Sequence, residues 1–324
     1  MINFKSTAAS LCTCFFILFS SATLAQEYPT RPVKLIVPYP PGGFVDIVAR
    51  IVADGLQRQL KQPFIVDNRP GASGMIALRV VSEAEPDGHT LLVGSNSEFA
   101  VVPATRSVAF DVSRDFSPIA KVASSGIVIS VGKNVPVKSI NEFANRARNS
   151  ALPIQFGSPA TGSINHILGE WLASTIGAKF QHIPYKGGAA AINALVAGEV
   201  EFSVLSLGVT KPQAEAGNVK ILAISSPDRA EFASDIPTLK ESQIPISATI
   251  WVGLFAPNKT APNVNNKILT ALNELLTTNE VKTKLQALGL EIPRSVPSKV
   301  FLDEVVAEAA QYKAIVKKAN ISAE

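Results

Sequence analysis

One unit, a short apolar strand opening into a glycine-bearing loop and then a helix, is written twice in this chain and constrains its fold more than any other feature. Val33 to Pro38 is an apolar run that breaks at Pro40-Pro41-Gly42-Gly43. A helix is expected from about Val45 to Leu60. Ile47, Val48, Ile51, Val52 and Leu56 mark its apolar stripe, and Asp46, Arg50, Asp54 and Arg58 its polar one. Strands at Phe64 to Asp67 and Thr90 to Gly94, with a helix near Met75 to Ala84 between them, complete a βαβαβ order. That order predicts a parallel sheet joined by right-handed crossovers.

The unit restarts after a helix whose capping box is Ser139 and Glu142 and which runs through Arg148. Ile154 to Gly157 is a strand, Ser158 to Ser163 a loop, and Ile164 to Leu172 carry a helical stripe. Phe180 to Tyr185 is a strand, Lys186-Gly187-Gly188 a loop, and Ala189 to Ala197 a helix closed by Gly198. Glu201 to Leu205 and Val219 to Ile224 are further strands. Helices are expected at Val264–Leu276, Val281–Leu288 and Lys299–Lys318. The apolar segments Val122–Val131 and Thr249–Ala256 lie where one repeat gives way to the other, so they read as paired crossovers. The expected fold class is α/β with two lobes, 26–124 plus 250–324 forming the first and 125–249 the second. Two crossover strands make a hinge, the architecture of a closing cleft.

Length and composition remove other classes. The 324 residues allow two domains, and 47% hydrophobic content with 17% charged residues argues against disorder. Thirty basic residues are dispersed among 26 acidic ones with no basic run, so nucleic acid is not an expected partner. Three histidines and two cysteines leave little material for a metal site, and neither a metal nor a cofactor is expected. The first 25 residues read as a secretory signal: Lys5, an apolar stretch from Ala8 to Phe19, then Ala22-Thr23-Leu24-Ala25. Cleavage is expected after Ala25, with Ala22 the second choice. Cys12 and Cys14 lie inside the apolar stretch and lack the small residue that an acylated lipoprotein cysteine follows, so both leave with the signal. No later stretch is long and apolar enough to span a membrane, and the processed chain is expected to be exported and soluble.

The loops ahead of the helices carry the chemistry. Pro38-Tyr39-Pro40-Pro41-Gly42-Gly43-Phe44-Val45-Asp46 turns from a strand end straight into a helix start. Glycine lets a ligand approach the backbone, and the first N–H groups of a helix lack internal partners and lie at the positive end of its dipole. Ser158-Pro159-Ala160-Thr161-Gly162-Ser163 repeats the device in the second lobe and adds hydroxyls. Two such mouths across a hinge could hold a carboxylate. Plainer readings compete. Asp46 suits a first helical turn, Ser163 an N-cap, and His89 and His182 structural roles; Trp171 and Trp251 suit the core, and His166 fits either a contact or a satisfied polar residue.

The segment from Tyr28 through Arg50 resembles the opening of the Bug family, the periplasmic substrate-binding receptors of tripartite tricarboxylate transporters. Asp67-Asn-Arg-Pro-Gly-Ala-Ser-Gly74, Pro86-Asp-Gly-His-Thr-Leu-Leu92, Phe156-Gly-Ser-Pro-Ala-Thr-Gly-Ser163, Pro184-Tyr-Lys-Gly-Gly188 and Trp251-Val-Gly-Leu-Phe-Ala-Pro257 match in order. The resemblance implies a two-lobed periplasmic-binding-protein fold of type II character, no catalysis, a small organic acid as ligand and a membrane permease as partner. It implicates Tyr39, Gly42, Gly43 and Phe44 from the first loop, and Ser95, Asn96 and Ser97 after the third strand. In the second lobe it implicates Ser158, Thr161, Gly162, Ser163 and His166, with Tyr185 and Gly188 from the next loop. Asp46 and Ser206 complete the candidate set. Many members carry an Asp after the strand equivalent to Glu201–Leu205. Here Ser203-Val204-Leu205-Ser206 has none, which favours a plain carboxylate over a ligand with an amine. Phe44, at a variable loop position, offers an apolar wall to an alkyl or aromatic ligand.

Two other classes meet the same sequence. A periplasmic sensor subunit signalling to a membrane kinase needs the same clamp. A secreted hydrolase would need a nucleophile and a base, yet no Gly-x-Ser-x-Gly elbow is present and no cysteine survives signal removal.

Overall fold

The computed structural model describes residues 28–319 and Ile321; the expected signal segment lies outside the described residues. A nine-stranded sheet runs through the protein in the order β2-β1-β3-β9-β4-β7-β5-β6, with β8 also on β4. The strands are β1 (Val33–Val37), β2 (Phe64–Asn68), β3 (Thr90–Ser95), β4 (Phe116–Gly132), β5 (Ile154–Ser158), β6 (Phe180–Pro184), β7 (Phe202–Ser206), β8 (Val219–Ile224) and β9 (Thr249–Pro257). β1 pairs in parallel with β2 and β3, and β5 in parallel with β6 and β7. These are the two repeats expected from the strand–loop–helix grammar.

The repeats are joined through one long strand. β4 runs antiparallel to β9 from Phe116 to Gly126, then from Ile127 onward lies antiparallel to β7 and β8. Register shifts between Pro118 and Ala120 and between Lys121 and Ala123 let the strand bend as it passes between the two halves. β9 leads back at Thr249, opposite Gly126. The fold is α/β and two-lobed, and its crossover strands are β4 and β9.

Helices cover each half. The first has α1 (Phe44–Leu60) and α2 (Met75–Ser82); the second has α3 (Ile140–Arg148), α4 (Ile164–Ile176), α5 (Gly188–Ala197) and α6 (Leu207–Glu215). The chain ends in α7 (Pro262–Leu276), α8 (Asn279–Gln286) and α9 (Ser298–Ala319). α1 buries Val48, Ala49, Val52 and Leu56 against Val33, Leu35, Leu91, Leu254 and Leu272. It lies so close to α7 that a Cβ on Gly55 would fall 2.2 Å from the Leu275 side chain. In the second lobe α4 buries Ile167, Leu168 and Leu172 against Ile129, Phe143, Phe156 and Phe202. α9 serves both cores. Phe301 and Val305 pack with Ile36, Trp251 and Phe255, whereas Tyr312 and Val316 pack with Ile129, Phe143 and Phe202.

Two local expectations are corrected. α6 was not expected, because Pro212 sits inside it and its apolar residues follow no helical stripe. Asp46, placed by periodicity on the solvent face of α1, is 1% exposed, while Ile47 of the expected buried stripe is only half-buried. The charge is drawn inward because four donors meet it there.

Candidate functional site

Asp46 organises the first-lobe loop. Its carboxylate accepts from the Gly42 amide at 2.9 Å, from Arg50 Nε at 2.9 Å and Nη2 at 3.0 Å, and from Asn68 Nδ2 at 2.8 Å. Asn68 Nδ2 also donates to the Tyr39 carbonyl at 3.0 Å, so the loop is gripped at both ends. Burial pushes the Asp46 pKa up, but the bonds from Arg50, Gly42 and Asn68 together hold it below the usual carboxylate value. Its oxygens are therefore committed to donors of the loop itself and of Asn68 and Arg50. Gly42 takes a φ of +84°, open to glycine and strained for other residues. N-cap Gly43 has no side chain with which to cap α1, so the first turn of that helix is left without a side-chain acceptor.

Tyr39 is fixed from behind. Its hydroxyl donates to the fully buried Glu98, whose other oxygen accepts from the Ser95 amide at 2.8 Å and the Ser95 hydroxyl at 2.9 Å. Burial drives the Glu98 pKa up against these donors, and burial beside Glu98 drives the Tyr39 phenol up. The Ser97 amide donates to Ser95 Oγ at 3.2 Å. Asn96, 1% exposed, donates from Nδ2 to the Thr249 carbonyl at 2.8 Å and to Glu308 at 3.0 Å. The Glu308 carboxylate also receives Trp251 Nε1 at 2.7 Å and Tyr312 OH at 2.7 Å. Ser95 and Asn96 are thus enclosed, Ser95 behind the first loop and Asn96 between β9 and α9. Both side chains are bonded inward. Glu98 and Glu308 escaped the sequence reading; the one local signal for Glu98 is that it directly precedes the apolar run Phe99 to Val102.

The second-lobe loop is stiffened by imidazoles. Ser163 caps α4, its Oγ accepting the His166 amide at 3.2 Å, and donates to the Ala160 carbonyl at 2.8 Å. The Gly162 amide donates to His166 Nδ1 at 3.1 Å, which places the imidazole proton on Nε2. The His166 ring stacks on His182, centroids 3.7 Å apart and planes 13° off parallel. His182 Nε2 bonds the Ser158 hydroxyl at 2.7 Å. Both histidines are lowered to about 4, His166 by burial and His182 by burial with a smaller contribution from His166. Ser158 is fully buried. Thr161 is exposed, and Gly162 and Ser163 are half-buried. Tyr185 turns toward Glu199, 3.3 Å from its hydroxyl, and packs with Ile183, Val200 and Val209.

The lobes meet around a chamber of about 470 Å³. From the first lobe come Phe44 and Ile47 of α1 and the segment Ala287, Leu288 and Leu290; from the second come Ser206, Gly208 and Val209 where β7 turns into α6. Ser125 of β4 and Ile250 of β9 complete the lining. Of the sequence candidates, Phe44 and Ser206 are brought together here. Gly188 stands behind the wall, where a Cβ would come 3.3 Å from Val209. Ser206 is the N-cap of α6, but its hydroxyl makes no cap hydrogen bond and no other bond among the described residues. The first turns of two helices from opposite lobes, α1 and α6, thus border one space, and neither has a side-chain cap. Ser125 is otherwise engaged, donating to the Gly289 carbonyl at 3.0 Å. The wall residues Ile47, Val209, Ile250, Leu288 and Leu290 were missed, because apolar residues at element ends carry no signal that separates a wall from a core. Among the described residues no group of three or more His, Cys, Asp or Glu could hold a metal ion, and no helix is long and apolar enough to cross a membrane.

Comparison with known proteins gives the context. Residues 48–321 match the family described as the tripartite tricarboxylate transporter family receptor, TctC. Protein BugT of Bordetella pertussis is 32% identical over 268 residues, covering 82% of each chain. A Rhodopseudomonas palustris protein solved with adipate is 30% identical, with a TM-score of 0.75 over 91% of this chain and 99% of that one. MatC of the same organism, solved with bound malate, is 29% identical, with a TM-score of 0.72 over 89% of this chain and all of its own. A TctC solute-binding protein from Polaromonas is 29% identical, with a TM-score of 0.82 over 90% of this chain and 99% of that one. The chain belongs to the TctC family of tripartite tricarboxylate transporter receptors.

Proposed function

We propose that this protein is a periplasmic receptor that captures a small organic carboxylate between its lobes and delivers it to the membrane permease of a tripartite tricarboxylate transporter. The observation that carries the reading is the pair of helix starts, α1 and α6, bordering one interlobe chamber without side-chain caps. Such starts present backbone N–H donors at the positive ends of two dipoles, which suits an anion and requires no arginine. A hydrogen bond to a charged group contributes about 1.5–3 kcal/mol net, so four or five reach the roughly −8 kcal/mol of a micromolar site after the cost of ordering the ligand. Adipate and malate in the solved relatives support the carboxylate class.

In this reading Gly42, Gly43 and Phe44 in the first lobe, and Thr161, Gly162, Ser163, Gly188 and Ser206 in the second, form the ligand surface. Tyr39, Asp46, Ser95, Ser97, Ser158 and His166 hold the loops in shape. The lobes, 26–124 plus 250–324 and 125–249, close over the ligand by bending at β4 and β9, and the closed monomer presents a changed face to the permease. A thermal-shift screen of purified protein against organic acids and their neutral amides tests the binding claim. Acids are expected to raise the melting temperature and the matching amides to leave it unchanged; stabilisation by the amides alone would refute it. Deleting the gene separates transport from sensing, because a transport receptor is needed for uptake of the acid itself.

A further inference from the structure

We infer that the ligand carries one carboxylate on an apolar alkyl or aryl body, and that the chamber rejects acids bearing a second charge. The inference rests on the receptor reading above and narrows it. It stands on the composition of the chamber wall. Of the ten lining residues, none has an ionisable side chain, and Phe44, Ile47, Val209, Ile250, Leu288 and Leu290 make most of it apolar. Among the described residues, the one side-chain polar group of the wall without a partner is the Ser206 hydroxyl, since Ser125 is bonded to Gly289. In the two candidate loops Asp46 is paired with Arg50, and burial lowers His166 and His182 to about 4, so both are neutral at ordinary pH.

The volume of about 470 Å³ lies within the range of small-molecule sites and exceeds what a carboxylate alone fills. A ligand anchored by its carboxylate must therefore place the rest of its body against this wall. An apolar body gains about 0.8 kcal/mol per buried methylene, a tightening of about fourfold for each carbon added until the chamber is full. With the first carboxylate taking the donors of the helix starts, a second one on the same body lies against the apolar wall, where it meets no charged side chain and, of the wall's two hydroxyls, only that of Ser206 without a partner among the described residues; a charge so placed is strongly disfavoured. Malate and adipate each carry two carboxylates, so this chain departs from the relatives solved with those acids.

Isothermal titration of the purified protein with pairs matched in length tests the inference: hexanoate against adipate and octanoate against suberate, with octanamide as the neutral control. Octanoate is expected to bind at least tenfold tighter than suberate, and the monoacids to tighten about fourfold per methylene from butanoate upward. Val209→Lys, on the half-exposed start of α6, is expected to reverse the order in favour of suberate. Diacids binding as tightly as their matched monoacids in the native protein would overturn the inference while leaving the receptor reading intact. Octanamide binding as well as octanoate, or no acid of either kind binding, would overturn the receptor reading and the inference with it.

Discussion

Gly208 touches the opposite lobe backbone to backbone, and adding one methyl group there tests whether that contact belongs to the closed, ligand-holding arrangement. A Cβ built on Gly208 lies 2.5 Å from the Leu288 carbonyl oxygen, 3.2 Å from its carbon and 3.3 Å from Gly289 Cα. Ordinary contact starts at 3.4 Å, so Gly208→Ala needs a separation of about 0.9 Å. All three obstacles are main-chain atoms, so no rotamer change relieves them. Overpacking of this kind costs about 1–3 kcal/mol, which corresponds to a loss of roughly 5- to 150-fold in affinity if the cost falls on the closed state alone. The melting temperature of the ligand-free protein is then expected to stay within about 2 °C of the parent. Titration with octanoate and scanning calorimetry without ligand measure the two quantities separately. A large drop in the ligand-free melting temperature with unaltered affinity would refute the reasoning, because it would make the Gly208–Gly289 contact a permanent part of the core. Gly289→Ala is expected to act in the same direction and more severely. Its Cβ would lie 2.3 Å from Gly208 Cα, and its φ of +72° adds strain.

Asp46→Ala removes the acceptor shared by Gly42, Arg50 and Asn68. It is expected to cost about 1.5–3 kcal/mol in urea unfolding and to weaken octanoate binding through loss of loop shape; an unchanged stability would contradict the loop-organising role. The stacked histidines predict a pH dependence. Both are lowered from 6.5 to about 4 in the folded state, so between those values the unfolded chain binds more protons. Their neutral form therefore supports the fold above pH 6.5, and stability should fall as pH drops toward 4. His182→Gln should flatten that part of a melting-temperature-against-pH curve, and an unaltered slope would remove the pair as its source. Glu308→Ala leaves Trp251 Nε1, Asn96 and Tyr312 without their common acceptor. It is expected to cost about 1–3 kcal/mol for each buried donor left unsatisfied, and to redshift Trp251 fluorescence as water reaches an indole now 1% exposed; an unshifted spectrum would show that the carboxylate is not what keeps the indole dry.

The features legible in the sequence are those written in local chemistry. Strand runs ending in glycine loops, the capping box at Ser139, the Gly198 stop and the stripe of α1 all reflect near-neighbour rules, and each has its element in the structure. Phe44 and Ser206 were reachable because each follows a strand end and opens a helix. What stayed hidden depends on partners distant in the chain. Asp46 looks like a solvent-face acid until Asn68, 22 residues away, turns it inward. Asn96 looks like a cleft residue until Glu308, 212 residues away, takes its amide. α6 is concealed by Pro212, whose lost hydrogen bond is tolerated because the helix is held by its neighbours β4, β7 and β8.

α9 is anchored at its start beside Phe255 and further along beside Phe143, so one stiff rod is rooted in both halves of the molecule. Two crossing strands alone would permit a swing about the line joining them. The rod adds a third attachment, and any swing must drag its far end through packed side chains or tilt the rod as a lever. In the proposed closure the travel is accordingly short and directed, more like the throw of a latch than the opening of a book. Substitutions at Tyr312 or Val316, in the second core, would then alter how far the proposed jaws part.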